Sequence, residues 1–137
     1  MAKPIEAEEL GLYLAVSSEA ISSVLIFQND RDHRPVYYLS KVLQGTERNY
    51  LKIEKFALAL VSAARRLRPY VQSHSITVLT NQPLRQVLSK PNVSGRLAKW
   101  AVELGEFDIT FCPRSAIKAQ VLADFLVERI GLDDATD

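Results

Sequence analysis

A chain of 137 residues, 47% apolar and 24% charged, has the size and composition of one soluble globular domain. Its formal charge of +1 argues neither for a strongly nucleic-acid-coating protein nor against a local basic patch. The single cysteine, Cys112, excludes an internal disulfide framework and suits a reducing compartment.

The chain opens on MAKPIEAEELG, which does not read as a signal peptide, and no apolar run approaches the roughly 18 residues of a membrane span. Residues 1–10 are expected to form an N-terminal extension, 11–130 the folded domain and 131–137 a solvated tail. The first element is LYLAVS. Leu12, Leu14 and Val16 alternate with Tyr13, Ala15 and Ser17, the period of a half-buried strand. Ala15 is unusual there, because strands favour β-branched and aromatic residues, and its side is expected to be the open face. A turn and a second strand reach Phe27. The charged run NDRDHR then suits a hairpin loop, and PVYYLS a third strand.

From Thr46 to Leu67 the chain lacks Gly and Pro, and Ile53, Ala57, Leu60, Val61, Ala64 and Leu67 recur at helical spacing. This predicts one long amphipathic helix with Thr46 as its N-cap and Pro69 beyond its end. ITVLT at 76–80 reads as a fourth strand stopped by NQP. PLRQVL reads as a short helix, and RLAKWAVELG as a helix closed by Gly105. FDITFC at 107–112 is a fifth strand ended by Pro113, and AIKAQVLADFLVER, from about 116 to 129, a final helix. Three hairpin-linked strands predict an antiparallel meander. Helical crossovers to the fourth and fifth strands predict parallel pairing, with strand one central. The fold class is therefore α/β, a five-stranded mixed sheet flanked by helices, whose crevice lies at the carboxyl ends of strands one and four.

Four residues fall around that crevice. Glu54 stands at i, i+4, i+7 with Leu58 and Val61, on or beside the apolar stripe of its helix. It reads either as a boundary acid that pairs with an arginine or as an acid held inward for metal or proton chemistry. Asp124 lies on the shoulder of the last helix, where a surface role is the plain alternative. Asn81 ends strand four, where Asn commonly starts a turn. Ala15 completes the set. Arg65, Arg66 and Arg68 crowd the end of the long helix, and Lys90, Arg96 and Lys99 surround the next one. They read either as a solvated face or as a phosphate-tracking surface. Trp100 and Cys112 read as packing residues.

PVYYLSKVL, TERNYLKIEKFALALVSAARRLRPY, VLTNQPL, GRLAKWAVELGEFDITFCPR and KAQVLADFLVE together resemble the ribonuclease H-like domain that follows the polymerase in gypsy-type LTR retrotransposon polyproteins, especially the plant versions. The resemblance covers nearly the whole chain in family order. It implies an RNase H-like fold whose crevice carries four carboxylates in active members, at the positions of Ala15, Glu54, Asn81 and Asp124. Only Glu54 and Asp124 are acids here.

Active members cleave the RNA of an RNA–DNA hybrid through two Mg²⁺ ions about 4 Å apart. At that spacing two divalent ions repel by roughly 17 kcal/mol at an effective dielectric of ~20, so several anionic ligands are needed to hold both. Ala15 supplies none, and Asn81 offers a neutral carbonyl oxygen. Glu19, Asp30 and Asp32 do not sit where they could replace the missing ligands. The resemblance thus implies a degenerate domain with no metal cofactor, tethering the polymerase to another nuclease domain of the same polyprotein and touching a hybrid backbone through Arg65, Arg66, Arg68, Lys90 and Lys99. It implies an intracellular setting, cytoplasmic within a virus-like particle or nuclear, with no membrane partner. Two alternatives stay open: a weakly active Mg²⁺-dependent endoribonuclease, and a host protein-interaction module that has kept the fold.

Overall fold

The alternating apolar residues of ELGLYLAV form strand β1 (Glu9–Val16) in the computed structural model, which describes residues 9–28, 33–90 and 95–114. β2 (Ala20–Gln28) follows through a turn in which the Ser17 hydroxyl accepts the Ala20 N–H at 3.0 Å, and β3 (His33–Val42) completes the meander. Of the expected hairpin loop NDRDHR, at 29–34, the last two residues His33 and Arg34 belong instead to β3, while 29–32 and the expected last helix lie outside the described residues.

The sheet has five strands in the order β3-β2-β1-β4-β5, with β1 central as expected. β1 pairs antiparallel with β2 and parallel with β4 (Ile76–Leu79), and β4 pairs parallel with β5 (Ile109–Cys112). Three antiparallel strands are thus followed by two parallel ones. Even-numbered residues of β1, from Leu10 to Val16, pack with α1 (Lys52–Arg66), which buries Phe56, Ala57, Leu60, Val61 and Ala64. Each buried Leu, Val or Phe side chain here contributes on the order of 1.5–3 kcal/mol, so this layer carries much of the fold's stability.

The long helix does not begin at Thr46. Residues Gly45–Asn49 make a 3-10 turn, Tyr50 and Leu51 are extended, and α1 starts only at Lys52. Gly45 sets this up with a φ of +57°, a conformation that a side chain disfavours. Pro69 does not simply end the pattern either. It sits in the first turn of a second short helix, α2 (Arg68–Ser73), where its missing N–H costs no hydrogen bond. α3 (Leu84–Leu88) and α4 (Gly95–Leu104) follow as the pattern predicts. Gly105 N–H closes α4 onto the Ala101 carbonyl at 3.0 Å.

Candidate functional site

The parallel register of β1 and β4 runs to Tyr13 opposite Leu79. Ala15 stands two residues further along β1, one short of its end, and Asn81 lies two residues past the end of β4. Alternation sends Tyr13 and Ala15 to the face away from Leu12, Leu14 and α1. That face is not open as expected, because Ala15 is only 1% exposed. A small residue fits a strand covered on both sides.

Asn81 is exposed, and its Oδ1 accepts the Arg114 N–H at 3.1 Å. Beside it Thr80 N–H donates to the Cys112 carbonyl at 2.9 Å, and the Thr80 hydroxyl accepts Gln82 N–H at 3.0 Å. These bonds join the ends of β4 and β5 and shape a cleft of about 320 Å³, lined by Thr80, Asn81, Gln82, Arg85, Gln86 and Cys112 among others. Asn81 thus takes the turn role expected of it, at the rim of this cleft.

Glu54 lies in the first turn of α1, 6% exposed. Its Oε1 accepts the Leu51 N–H at 3.0 Å, meeting one of the donors that a helix start leaves unpaired. Its Oε2 accepts Arg96 Nη1 at 3.1 Å. The Arg96 guanidinium also stacks 3.9 Å from the centre of the Tyr50 ring, and Tyr50 meets Trp100 at 6.2 Å. Glu54 is therefore buried and pairs with an arginine, the plainer of the two roles weighed for it.

A residue not foreseen stands on the other face. Arg114 is 4% exposed, with its guanidinium 5.5 Å from the centre of the Tyr13 ring. Tyr13 is fully buried, and its hydroxyl has no hydrogen-bond partner among the described residues. Burial raises the Tyr13 phenol above its ordinary range, while the Arg114 charge pulls it the other way. Nothing in the string CPRS announces a buried arginine, because the burial comes from tertiary packing.

The basic residues divide. Arg65 forms a two-pronged pair with Glu103 of α4, at 2.7 and 2.9 Å. The Arg65 hydrogen bonds chiefly, then the charges of Arg65, Arg68 and Lys99, hold the Glu103 carboxyl below its ordinary range. Arg65, Arg68 and Lys99 are thus gathered around one acid, with Arg68 also 5.7 Å from the Phe107 ring centre. Arg66 is exposed at the same end of α1. Lys90 lies apart, exposed beyond α3. Arg96 is committed to Glu54 and Tyr50.

Asp124 lies outside the described residues, so three of the four crevice positions can be compared with a divalent-ion site. They offer one carboxylate, already bonded to Leu51 and Arg96, one amide carbonyl and one methyl group. Among the described residues no three His, Cys, Asp or Glu side chains group closely enough to hold a metal ion. This donor set does not fit a pair of divalent ions.

A family model for the RNase H-like domain found in reverse transcriptase matches residues 6–107. The retrovirus-related Pol polyprotein from transposon opus of Drosophila melanogaster is 32% identical over 128 residues, covering 92% of this chain and 13% of the relative. The Pol polyprotein from transposon 412 of the same organism is 31% identical over 109 residues, 78% of this chain and 9% of the relative. The chain therefore spans only a small part of the curated relatives it matches. Among solved structures, the foamy viral protease-reverse transcriptase in complex with RNA/DNA hybrid superposes with a TM-score of 0.59 at 19% identity, covering 80% of this chain and 16% of that one. LC11-RNase H1, isolated from compost by a metagenomic approach, gives 0.54 at 17% identity, over 86% of this chain and 91% of that one. At these identities the structures speak for the fold alone.

Proposed function

The chain belongs to the RNase H-like domains found in reverse transcriptase, and we propose that it is a member that has lost hydrolysis and works as a connection between a polymerase and another nuclease domain. The observation that carries this reading is the pair Ala15 and Asn81. Ala15 lies near the carboxyl end of β1 and Asn81 just past that of β4, where the family resemblance calls for carboxylates. Substitution there removes two formal negative charges from a site whose two metal ions repel each other by roughly 17 kcal/mol at an effective dielectric of ~20. The sheet and α1 meanwhile keep a buried apolar core. The relatives are polyproteins, which supplies the setting for a connecting role. The gypsy-type plant lineage is part of the same reading and rests on the motif string from PVYYLSKVL to VLADFLVE.

Contact with a hybrid would run through the phosphates. Arg66 and Lys90 are exposed, and Arg65, Arg68 and Lys99 could exchange Glu103 for phosphate oxygens. The retained Glu54 favours one rival, a feeble metal-dependent ribonuclease. The test is an RNA–DNA hybrid labelled on its RNA strand, incubated with excess protein in Mg²⁺ and, separately, in Mn²⁺. The RNA is expected to stay intact. Metal-dependent fragments that disappear in Glu54→Ala would establish the rival.

A further inference from the structure

The face of β2 that meets α1 breaks its apolar run at one residue. Ile21 and Leu25 lie in the core there, and between them stands Ser23, opposite Leu14 of β1 and Leu39 of β3. Ser23 is 3% exposed, and its hydroxyl makes no hydrogen bond among the described residues. A buried hydroxyl without a partner is costly to keep. We propose that Ser23 belongs to a binding site for a phosphate monoester, built between α1 and strands β2 and β3.

Ser23 lines a cavity of about 390 Å³ with Leu39 and Lys41 of β3 and Ser62, Arg65 and Arg66 of α1. That volume lies within the roughly 300–1,000 Å³ of small-molecule sites. Every charged residue lining it is a cation. Lys41 and Arg65 are paired with Glu47 and Glu103, neither of which lines the cavity. Arg66 is exposed, and its side chain makes no ion pair or hydrogen bond among the described residues. Its planar fork matches two phosphate oxygens at once. The hydroxyls of Ser23 and Ser62 donate to further oxygens. A carboxylate, with two oxygens and a single charge, leaves part of this donor set unused. A phosphate monoester presents three acceptor oxygens and a charge of about −1.5 to −2. The cavity exceeds the size of the phosphate group, which leaves room for an organic substituent against Leu39. A free mononucleotide and a 5′-phosphorylated strand end carry the same monoester. Ala15, Glu54 and Asn81 do not line the cavity, so the site stands whether or not the crevice holds metal. Arg66 is shared with the hybrid contact proposed above, but Ser23 is not, and Ser23 variants separate the two.

The test titrates adenosine 5′-monophosphate into the isotope-labelled chain and follows its amide signals, with adenosine as the control that lacks phosphate. The nucleotide is expected to shift the signals of Ser23, Ser62 and Arg66 saturably, and adenosine to leave them in place. Ser23→Ala should weaken nucleotide binding about three- to tenfold, the loss of one hydrogen bond, and exposed Arg66→Gln about tenfold or more, the loss of a charged one. A 5′-phosphorylated oligonucleotide that displaces the nucleotide, where its 5′-hydroxyl twin does not, marks a strand end as the source. Binding that neither oligonucleotide displaces marks the free nucleotide. Shifts that do not saturate, equal binding of adenosine, displacement by both oligonucleotides alike, or unchanged affinity in either variant would overturn the proposal. Loss of hydrolysis is read separately on the unmodified chain with hybrid, so the two claims cannot be mistaken for one another.

Discussion

Glu54 makes two hydrogen bonds that need no metal, one to the start of its own helix and one to Arg96. If that is why it persists, removing it should cost stability. Glu54→Ala is expected to lower the unfolding free energy by about 1–3 kcal/mol, combining a lost helix-start acceptor with a half-buried guanidinium left without its acid. Glu54→Gln should cost less, because its amide oxygen can still accept the Leu51 N–H. Urea denaturation measures both, and a cycle with Arg96→Met should return a positive coupling. An acid kept for chemistry would behave oppositely, with Glu54→Ala neutral or stabilising. The apolar stripe made the inward direction of Glu54 legible in the sequence. Its partner, 42 residues away, was not, since periodicity reports a face and not what meets it. Arg114 was hidden for the same reason. The covered face of Ala15 was misjudged because alternation cannot tell a central strand buried on both sides from one buried on a single side.

At the scale of elements, the break before α1 is where hydrophobic period misled. Residues 46–67 contain no Gly or Pro, yet the chain turns at Gly45 and runs extended through Tyr50 and Leu51 before the helix begins. Gly45→Val should therefore destabilise by about 1–2 kcal/mol, because a β-branched residue resists a positive φ, and Gly45→Asn by less. Thermal or urea unfolding separates the two. The pairing of α1 with α4 makes a second prediction. Glu103 has a folded-state pKa below its ordinary value of 4.5, mainly through the Arg65 hydrogen bonds. Between that lowered value and 4.5 the unfolded chain binds more protons, so stability rises with pH across this window. The contribution is full above 4.5 and is lost as pH falls through the folded-state value. Glu103→Gln should flatten this part of the pH–stability curve while changing stability at neutral pH by no more than about 1 kcal/mol, as for an exposed pair. An unchanged slope below pH 4.5 would show that the α1–α4 pair does not form in solution.

At the scale of the whole molecule, strand order and direction were legible, because hairpin spacing and helical crossovers leave few topologies for five strands. The place of a crevice followed from the same topology, but the meaning of Ala15 and Asn81 in it came only through the resemblance, since nothing in composition distinguishes Asn81 from an ordinary turn residue. If the domain touches a hybrid through Arg66, Lys90 and the cluster at Glu103, its affinity should fall steeply between about 50 and 200 mM salt and be indifferent to sequence, which filter retention would measure. The central claim is that this crevice holds no divalent ions, and Mn²⁺ tests it most directly as a paramagnetic probe. Titrated into isotope-labelled protein at sub-millimolar concentration, Mn²⁺ should leave the amide signals of Ala15, Glu54 and Asn81 no more broadened than exposed residues elsewhere. Selective loss of those three signals, reversed by Mg²⁺, would show a working metal site at the sheet's carboxyl edge and contradict the account.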